Sequence, residues 1–233
     1  KAFDVIIVDE ADAFPYTFDE TLQRAVEKAK KEKAPLVFVT ATPSAALLHT
    51  FQQESYSFIP KRYHNHPLPV PQVRSLWSYN KCFKRGKIPK RLKKWVEERL
   101  HQKEPFLLFF PTIDLMNSAT LLFQGLNEDI LAVHAADPER KKKVLKLRNK
   151  EVPGLLTTTI LERGITISNV QVAVIGAESL IFTANALVQI AGRVGRNVQF
   201  PNGDVLFFHH GITAEMDEAC AKIQFYNKKG FSE

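Results

Sequence analysis

The sequence predicts an α/β protein built from parallel strands joined by helical crossovers. Three features carry that expectation: short continuous apolar runs of strand length, intervening segments with apolar residues at helical spacing, and the alternation of the two along most of the chain. A helix between two strands returns the chain to the same end of the sheet, so the strands run parallel. With 45% apolar and 24% charged residues over 233 positions, the chain can bury one large core or two modest ones.

The opening run Phe3-Asp-Val-Ile-Ile-Val-Asp9 ends in acids, the pattern of a buried parallel strand whose carboxyl end faces a site. Residues 17–33 read as an amphipathic helix, with Phe18, Leu22, Ala25, Val26 and Ala29 on one stripe. Pro35 opens a second buried strand, 36–40, which delivers Thr40-Ala-Thr-Pro43, and a short helix follows over 45–53. Residues 58–73 are rich in proline and have no clean period, which marks a connector with a domain boundary near Pro71. Residues 1–72 and 73–233 are thus expected to be separate units.

The second unit opens with a helix over 88–102, started by Pro89 and buried through Ile88, Leu92, Trp95, Val96 and Leu100. A strand over 106–110, a helix over 113–124 closed by Gly125, and a strand over 130–133 come next. Asp137-Pro138 supplies an N-cap and a first turn for a helix reaching 150. Strands over 155–159 and 170–175, a helix over 184–194, a strand over 205–209 and a helix over 214–227 complete the pattern.

The net charge of +7 is unevenly placed: residues 61–103 hold 13 Lys and Arg against 2 acids, which leaves −4 for the rest of the chain. The densest part contains Lys81, Lys84, Arg85, Lys87, Lys90, Arg91, Lys93 and Lys94 with no acid, and Trp77, Tyr79, Phe83 and Trp95 stand close by. Cations interleaved with aromatic rings suit a polyanion whose bases stack. Any one of Lys90, Arg91, Lys93 and Lys94 is better accounted for as part of a solvated helix face; the cluster as a whole points to nucleic acid. The two cysteines, Cys82 and Cys220, stand far apart without a second ligand at metal spacing and read as packing residues. The longest apolar stretches are too short to span a bilayer and no charged-then-apolar leader opens the sequence, which suggests a cytoplasmic protein.

Asp9-Glu-Ala-Asp12, at the end of an apolar strand, places carboxylates where Asp9 would hold a nucleotide's Mg²⁺, directly or through water, and Glu10 would orient or deprotonate an attacking water. Acids at strand ends also serve as plain helix caps. Thr40 and Thr42 precede a proline, as in many ordinary turns, and gain meaning from following the first motif in order. Gln189-Ile-Ala-Gly-Arg193-Val-Gly-Arg196 is the most specific stretch. Its arginines, three apart, would stand on one helix face and reach adjacent phosphate oxygens, with Gly192 and Gly195 permitting close approach by another backbone. Glycine inside a helix costs roughly 1 kcal/mol relative to alanine, so two of them ask for a reason. Thr157, Thr158 and Thr159 end a strand before a loop carrying Arg163-Gly164, and hydroxyls at that end of a sheet suit a phosphate backbone; as β-branched residues they also suit the strand itself.

In this order the residues resemble the helicase motifs of superfamily 2: Asp9-Glu-Ala-Asp12 as motif II, Thr40-Ala-Thr42 as motif III, Phe109-Phe-Pro-Thr112 as motif IV, residues 158–167 as motif V and residues 189–196 as motif VI. The resemblance implies a RecA-like helicase core, with the C-terminal part of a first RecA-like domain over 1–72 and a complete second one over 73–233. Within the superfamily, Val8-Asp-Glu-Ala-Asp-Ala-Phe-Pro-Tyr16, Thr40-Ala-Thr-Pro-Ser44 and Thr158-Thr-Ile-Leu-Glu-Arg-Gly164 are most similar to the ComFA family of DNA-uptake ATPases. The PriA family of replication-restart helicases lies nearby.

Carried over motif by motif, the resemblance assigns Mg²⁺ to Asp9, water activation to Glu10, and coupling of hydrolysis to movement to Asp12, Thr40 and Thr42. It makes Arg193 and Arg196 arginine fingers on ATP, with Gln189 near the γ-phosphate and Gly164 and Thr166 on the nucleotide side. Thr112, Thr158 and Thr159 would touch the nucleic-acid backbone. Thr166 departs from the acid common at that place in RNA helicases of the literal DEAD type, so a ribose contact through that acid is not implied. The implied cofactors are ATP and Mg²⁺. The implied partners are single-stranded DNA, a DNA-uptake channel at the inner face of the membrane, and other competence proteins. No Gly-Lys-Thr loop and no four-cysteine zinc site occur in these residues, so the chain alone is expected to be inactive as an ATPase. An RNA helicase and a purely nucleic-acid-binding module are the other readings. Sugar-specific competition separates the first, and a phosphate loop upstream separates the second.

Overall fold

The computed structural model describes residues 2–11, 19–43, 45–49, 51, 55–158 and 166–231, and the side chains of all of these except 45 and 46. The chain separates into two compact units, Lys1–Phe58 and Ile59–Glu233. The proline-rich segment thus belongs to the second unit, and the division falls before Pro71. Polar side chains tie it there: the Asn227 amide accepts from the N–H of Leu68 at 2.7 Å and donates to its carbonyl at 2.8 Å.

In the first unit, β1 (Ile6–Asp9), α1 (Glu20–Ala29), β2 (Leu36–Val39) and α2 (Ala45–His49) follow in order. Asp19 caps α1, its carboxylate accepting from the amides of Thr21 and Leu22 at 2.9 and 3.1 Å. The strands pair in parallel, with Ile6 opposite Leu36 and Asp9 opposite Val39. The expectation of fully buried strands is met on neither face. Ile6, Val8, Leu36 and Phe38 are partly covered, whereas Ile7 is 65% and Val39 47% exposed. A two-stranded sheet has too few strands to enclose apolar side chains on both faces.

The second unit is a six-stranded parallel sheet, as the alternation predicts. Its strands are β3 (Gln72–Ser75), β4 (Phe106–Phe109), β5 (Leu131–Val133), β6 (Gly154–Thr157), β7 (Gln171–Ile175) and β8 (Val205–His209), in the spatial order β3-β8-β7-β4-β6-β5. The helices are α3 (Tyr79–Lys84), α4 (Lys90–Gln102), α5 (Ile113–Gln124), α6 (Arg140–Arg148), α7 (Ala184–Ala191) and α8 (Ala214–Phe231). Successive strand residues point to opposite faces. Leu107, Phe109, Val172, Val174 and Phe207 therefore meet Leu187, Met216 and Ile223 of α7 and α8. Phe106, Leu108, Ala173, Ile175 and Phe208 meet Phe83, Leu92, Trp95, Met116 and Phe123 of α3, α4 and α5. A sheet covered on both faces needs apolar residues at every position, which is why its strands read as continuous runs. Gly154 is the exception with a steric cause: a side chain there would collide with the Phe106 ring.

Several boundaries differ from the sequence reading. Strand β3 and helix α3 have no counterpart in it: β3 alternates polar Gln72 and Arg74 with half-buried neighbours at the sheet edge, and α3 is short and cationic. Helix α6 starts at Arg140 rather than at Asp137. The Asp137 carboxylate instead closes a preceding turn, accepting from the Glu139 amide at 2.9 Å and from the Lys143 ammonium at 2.7 Å.

Candidate functional site

Parallel pairing of β1 with β2 sends Asp9-Glu10 and Thr40-Thr42 off the same end of the small sheet. The Ala11 amide donates to the Val39 carbonyl at 3.1 Å, so the two segments stay together beyond the strands. Asp9 is exposed and one of its oxygens accepts from the Glu10 amide at 2.8 Å. Glu10 stands at φ +53°, in the left-handed region, which costs a residue with a Cβ roughly 1–2 kcal/mol and turns the chain sharply. The Thr40 hydroxyl accepts from the Thr42 amide at 3.1 Å, and Thr42 itself is buried. Asp12 lies outside the described residues.

Hard carboxylate oxygen suits Mg²⁺, which keeps several waters and takes one or two carboxylates plus substrate phosphates rather than a closed protein cage. The exposed Asp9 fits that chemistry, and among the described residues no group of three or more ligating side chains competes for a metal.

In the second unit, α7 begins at a Thr183 cap, whose hydroxyl accepts from the Ala186 amide at 3.3 Å, and at the Glu215 carboxylate, which accepts from the Ala184 amide. It ends at Ala191, earlier than the apolar pattern predicts. Gln189 is in its last turn, but Arg193 and Arg196 are not on a helix face: they sit in the turn that follows, Arg193 buried and Arg196 exposed. Gly195, at φ +70°, where a side chain would collide with the Pro201 carbonyl, turns the chain between the two arginines. Close approach of another backbone therefore explains Gly195. Gly192 meets only the carbonyls of its own helix. The Arg196 Nε donates to the Gly192 carbonyl at 2.9 Å, and partial desolvation lowers the pKa of its guanidinium.

Thr112 is exposed and caps α5, its hydroxyl accepting from the Leu115 amide at 3.2 Å. Since Phe109 of β4 is paired with Thr157 of β6, Thr112 and Thr158 leave neighbouring strands at the same end of the sheet. Thr157 and Thr158 are both buried, which places the Thr158 side chain in the sheet end rather than on the surface. Thr159 and Gly164 lie outside the described residues, and Thr166, just beyond them, is exposed.

All eight cations from Lys81 to Lys94 are exposed. Arg91 donates to the Ser75 carbonyl at 3.1 Å, and Lys93 and Lys94 face Glu97 and Glu98 at 3.5 and 3.9 Å. Lys81, Lys84, Arg85, Lys87 and Lys90 make no ion pair among the described residues. The aromatic side of the expectation is corrected: Tyr79, Phe83 and Trp95 are core residues, because α3 and α4 turn them onto the sheet, and Trp77 alone of the four is exposed, at 71%. The basic character of the predicted helix α6 escaped the reading although its signal is plain, with six cations in nine residues. So did a polar cluster with no local signal. The Tyr79 hydroxyl donates to Glu178 at 2.7 Å and His210 pairs with the same carboxylate; burial, then that carboxylate, pushes the Tyr79 pKa up.

Residues 87–198 match the model of the helicase conserved C-terminal domain. The chain is 43% identical over 235 residues to competence protein ComFA of Bacillus subtilis, covering 97% of this chain and 50% of that protein. It is 36% identical over 233 residues to competence protein ComFA of Streptococcus pneumoniae, covering 98% and 54%. It thus spans about half the length of the curated relatives it matches. Among solved structures, Saccharomyces cerevisiae Dbp5 bound to RNA and ADP BeF3 superposes with a TM-score of 0.60 at 16% identity, covering 95% of this chain and 56% of that one; this likeness identifies the RecA-like helicase fold alone. No helix among the described residues is long and apolar enough to cross a membrane. The matched helicase domain and extensive identity to both ComFA proteins establish that the chain belongs to the ComFA family of superfamily 2 helicases.

Proposed function

We propose that the chain supplies motor elements of an ATP-driven, Mg²⁺-dependent single-stranded DNA translocase that acts in DNA uptake during competence. The observation that supports this reading is the turn after α7, in which Arg193 and Arg196 follow Gln189 on either side of a left-handed glycine, in a chain similar to ComFA. The first unit stands for the C-terminal part of one RecA-like domain and the second for a complete one.

Bound ATP supplies the phosphoanhydride whose cleavage drives movement. Asp9 would hold the metal through a hard oxygen, and Glu10, redirected by its left-handed backbone, would accept a proton from the attacking water. Arg193 and Arg196 stabilise charge on the phosphates, with Gln189 near the γ-phosphate, and Gly164 and Thr166 border the nucleotide. Asp12, Thr40 and Thr42 couple hydrolysis to movement through the turn that the Thr40 hydroxyl holds. Thr112 and Thr159 serve the nucleic-acid backbone, the buried Thr158 being part of the sheet end instead, and Lys81, Lys84, Arg85, Lys87, Lys90, Arg91, Lys93 and Lys94 supply its electrostatic attraction. The DNA-uptake channel and other competence proteins are the partners, at the inner face of the membrane.

The test is steady-state ATP hydrolysis by the full-length protein, with and without single-stranded DNA, beside a nucleotide-free binding titration. Arginines of this role contribute on the order of 10³ to 10⁵ in rate in GTPases, so Arg193→Ala is expected to abolish DNA-stimulated turnover and leave DNA affinity nearly intact. Glu10→Gln should do the same. Normal turnover in Arg193→Ala overturns the finger assignment. RNA competing as well as DNA of the same length overturns the substrate assignment. The present residues contain no Gly-Lys-Thr sequence, so the isolated chain should bind DNA without turnover.

A further inference from the structure

Arg62 stands in the proline-rich segment and belongs to none of the motifs above, yet it makes three long-range hydrogen bonds to the turn after α7. Its Nη1 donates to the carbonyls of Val194 and Gly195 at 2.8 and 2.9 Å, and its Nη2 to that of Gly192 at 3.0 Å. These acceptors bracket Arg193 and sit next to Arg196. The final carbonyls of a helix have no partner within it, and the Gly192 and Val194 carbonyls fall where α7 has stopped. One planar fork of donors meets three of them at once, which an ammonium group is not shaped to do. The positive charge also lies at the negative end of the α7 dipole.

The arrangement carries a cost that calls for a function. Arg62 is half-buried and close enough to Arg196 that burial first, and repulsion by Arg196 second, bring its pKa down to about 10. Both side chains donate to one oxygen, the Gly192 carbonyl, Arg62 at 3.0 Å and Arg196 through Nε at 2.9 Å. If the turn merely had to be closed, a neutral donor would do so without adding a like charge beside Arg196. A guanidinium there holds the turn from a second side, since Gly195 is already wedged against the Pro201 carbonyl.

We propose that Arg62 is a positioning residue for the arginine turn, bracing the carbonyls of Gly192, Val194 and Gly195 so that Arg193 and Arg196 are presented in a single, catalytically competent direction. The proposal rests on the reading of Arg193 and Arg196 as arginine fingers. It assigns Arg62 no contact with nucleotide or DNA. It also ties the proline-rich segment that carries Arg62 directly to the turn.

The experiment compares Arg62→Lys, Arg62→Gln, Arg196→Ala and the double variant Arg62→Gln/Arg196→Ala in the full-length protein, with Arg193→Ala as the reference for the finger reading. Misplacing a catalytic group by about 1 Å costs on the order of 100-fold, so kcat for DNA-stimulated hydrolysis should fall about 10- to 100-fold in Arg62→Lys, with KM for ATP within about twofold. Nucleotide-free DNA affinity should stay within about twofold, because the brace does not touch DNA. Hydrogen exchange should accelerate in peptides covering residues 192–197 and remain unchanged in β7 and β8. The double variant should be slower than Arg196→Ala by less than Arg62→Gln slows the parent, since only the presentation of Arg193 then remains to be lost. Unchanged kcat in both Arg62 variants overturns the proposal. Accelerated exchange throughout the sheet, or a double variant slower by the product of the two single effects, also overturns it by making Arg62 a general stability residue or an independent one. Normal turnover in Arg193→Ala and Arg196→Ala would instead refute the finger reading, and with it the need for a brace, whatever the Arg62 variants do.

Discussion

Replacing Lys81, Lys84, Arg85 and Lys87 together by glutamine should weaken single-stranded DNA binding in a way that depends on salt. The structure selects these four. Arg91 is engaged with the Ser75 carbonyl, and Lys93 and Lys94 face Glu97 and Glu98, whereas the chosen side chains are exposed and without an ion pair among the described residues. For single strands, log K falls with log salt by about 0.7 per phosphate neutralised, so four lost contacts flatten the slope by about 2.8. Between 50 and 200 mM salt that amounts to roughly 50-fold in affinity that the parent loses and the variant does not. Exposed substitutions of this kind change stability by about 0.5 kcal/mol or less each, so a melting curve serves as the control. Fluorescence anisotropy of a labelled thymidine oligonucleotide, titrated with the isolated chain at several salt concentrations, reads the slope directly. A slope equal to that of the parent would refute the assignment of this segment to nucleic acid and leave it a solvated surface.

Other consequences concern stability. Arg99 is the one buried cation of α4: its Nη1 lies 2.9 Å from Asp204 and 3.2 Å from Glu104, and Asp204 also accepts from the Trp95 Nε1. Arg99→Ala strands those carboxylates and should cost about 3 kcal/mol, the low end for a broken buried pair because Asp204 still reaches water, which calorimetry or urea unfolding will read. An unchanged midpoint would show the cluster to be energetically neutral. The ammonium of Lys143, the largest influence, and the amide of Glu139 hold the Asp137 carboxyl below its ordinary pKa. Its contribution is therefore complete above the unfolded value near 4 and is lost as pH falls through the lower folded value. The stability gap between parent and Asp137→Asn should shrink as pH drops from 6 to below 4, and a constant gap across that window would contradict the ion-pair account.

Much of the fold was written locally. Runs such as Phe106–Phe109 and Gln171–Ile175 announce strands because a sheet covered on both faces demands apolar residues at every position. The motif residues could be placed at strand ends because the polar stretch after each such run must be a loop at the carboxyl end of a parallel strand. Local pattern failed where a partner far along the chain decides the outcome. Strand β3 exists because Gln72–Ser75 finds β8, which pairs Gln72 with Leu206, and its own alternation is too polar to announce it. The side chains of Tyr79, Phe83 and Trp95 looked like stacking rings beside a basic run and are core, since only the packing of α3 and α4 says which way they turn.

The sequence by itself determined the α/β class, the order of the motifs and the location of the charge, because hydrophobic period, turn residues and ionisable groups are properties of short stretches. The tertiary structure alone decided the sheet order, the end of α7 at Ala191 and the engagement of Arg62 with the arginine turn. Each of these depends on which distant backbone arrives at a given place. The Pro201 carbonyl against Gly195, and the carbonyls of 192, 194 and 195 around a guanidinium from residue 62, are contacts that no periodicity encodes.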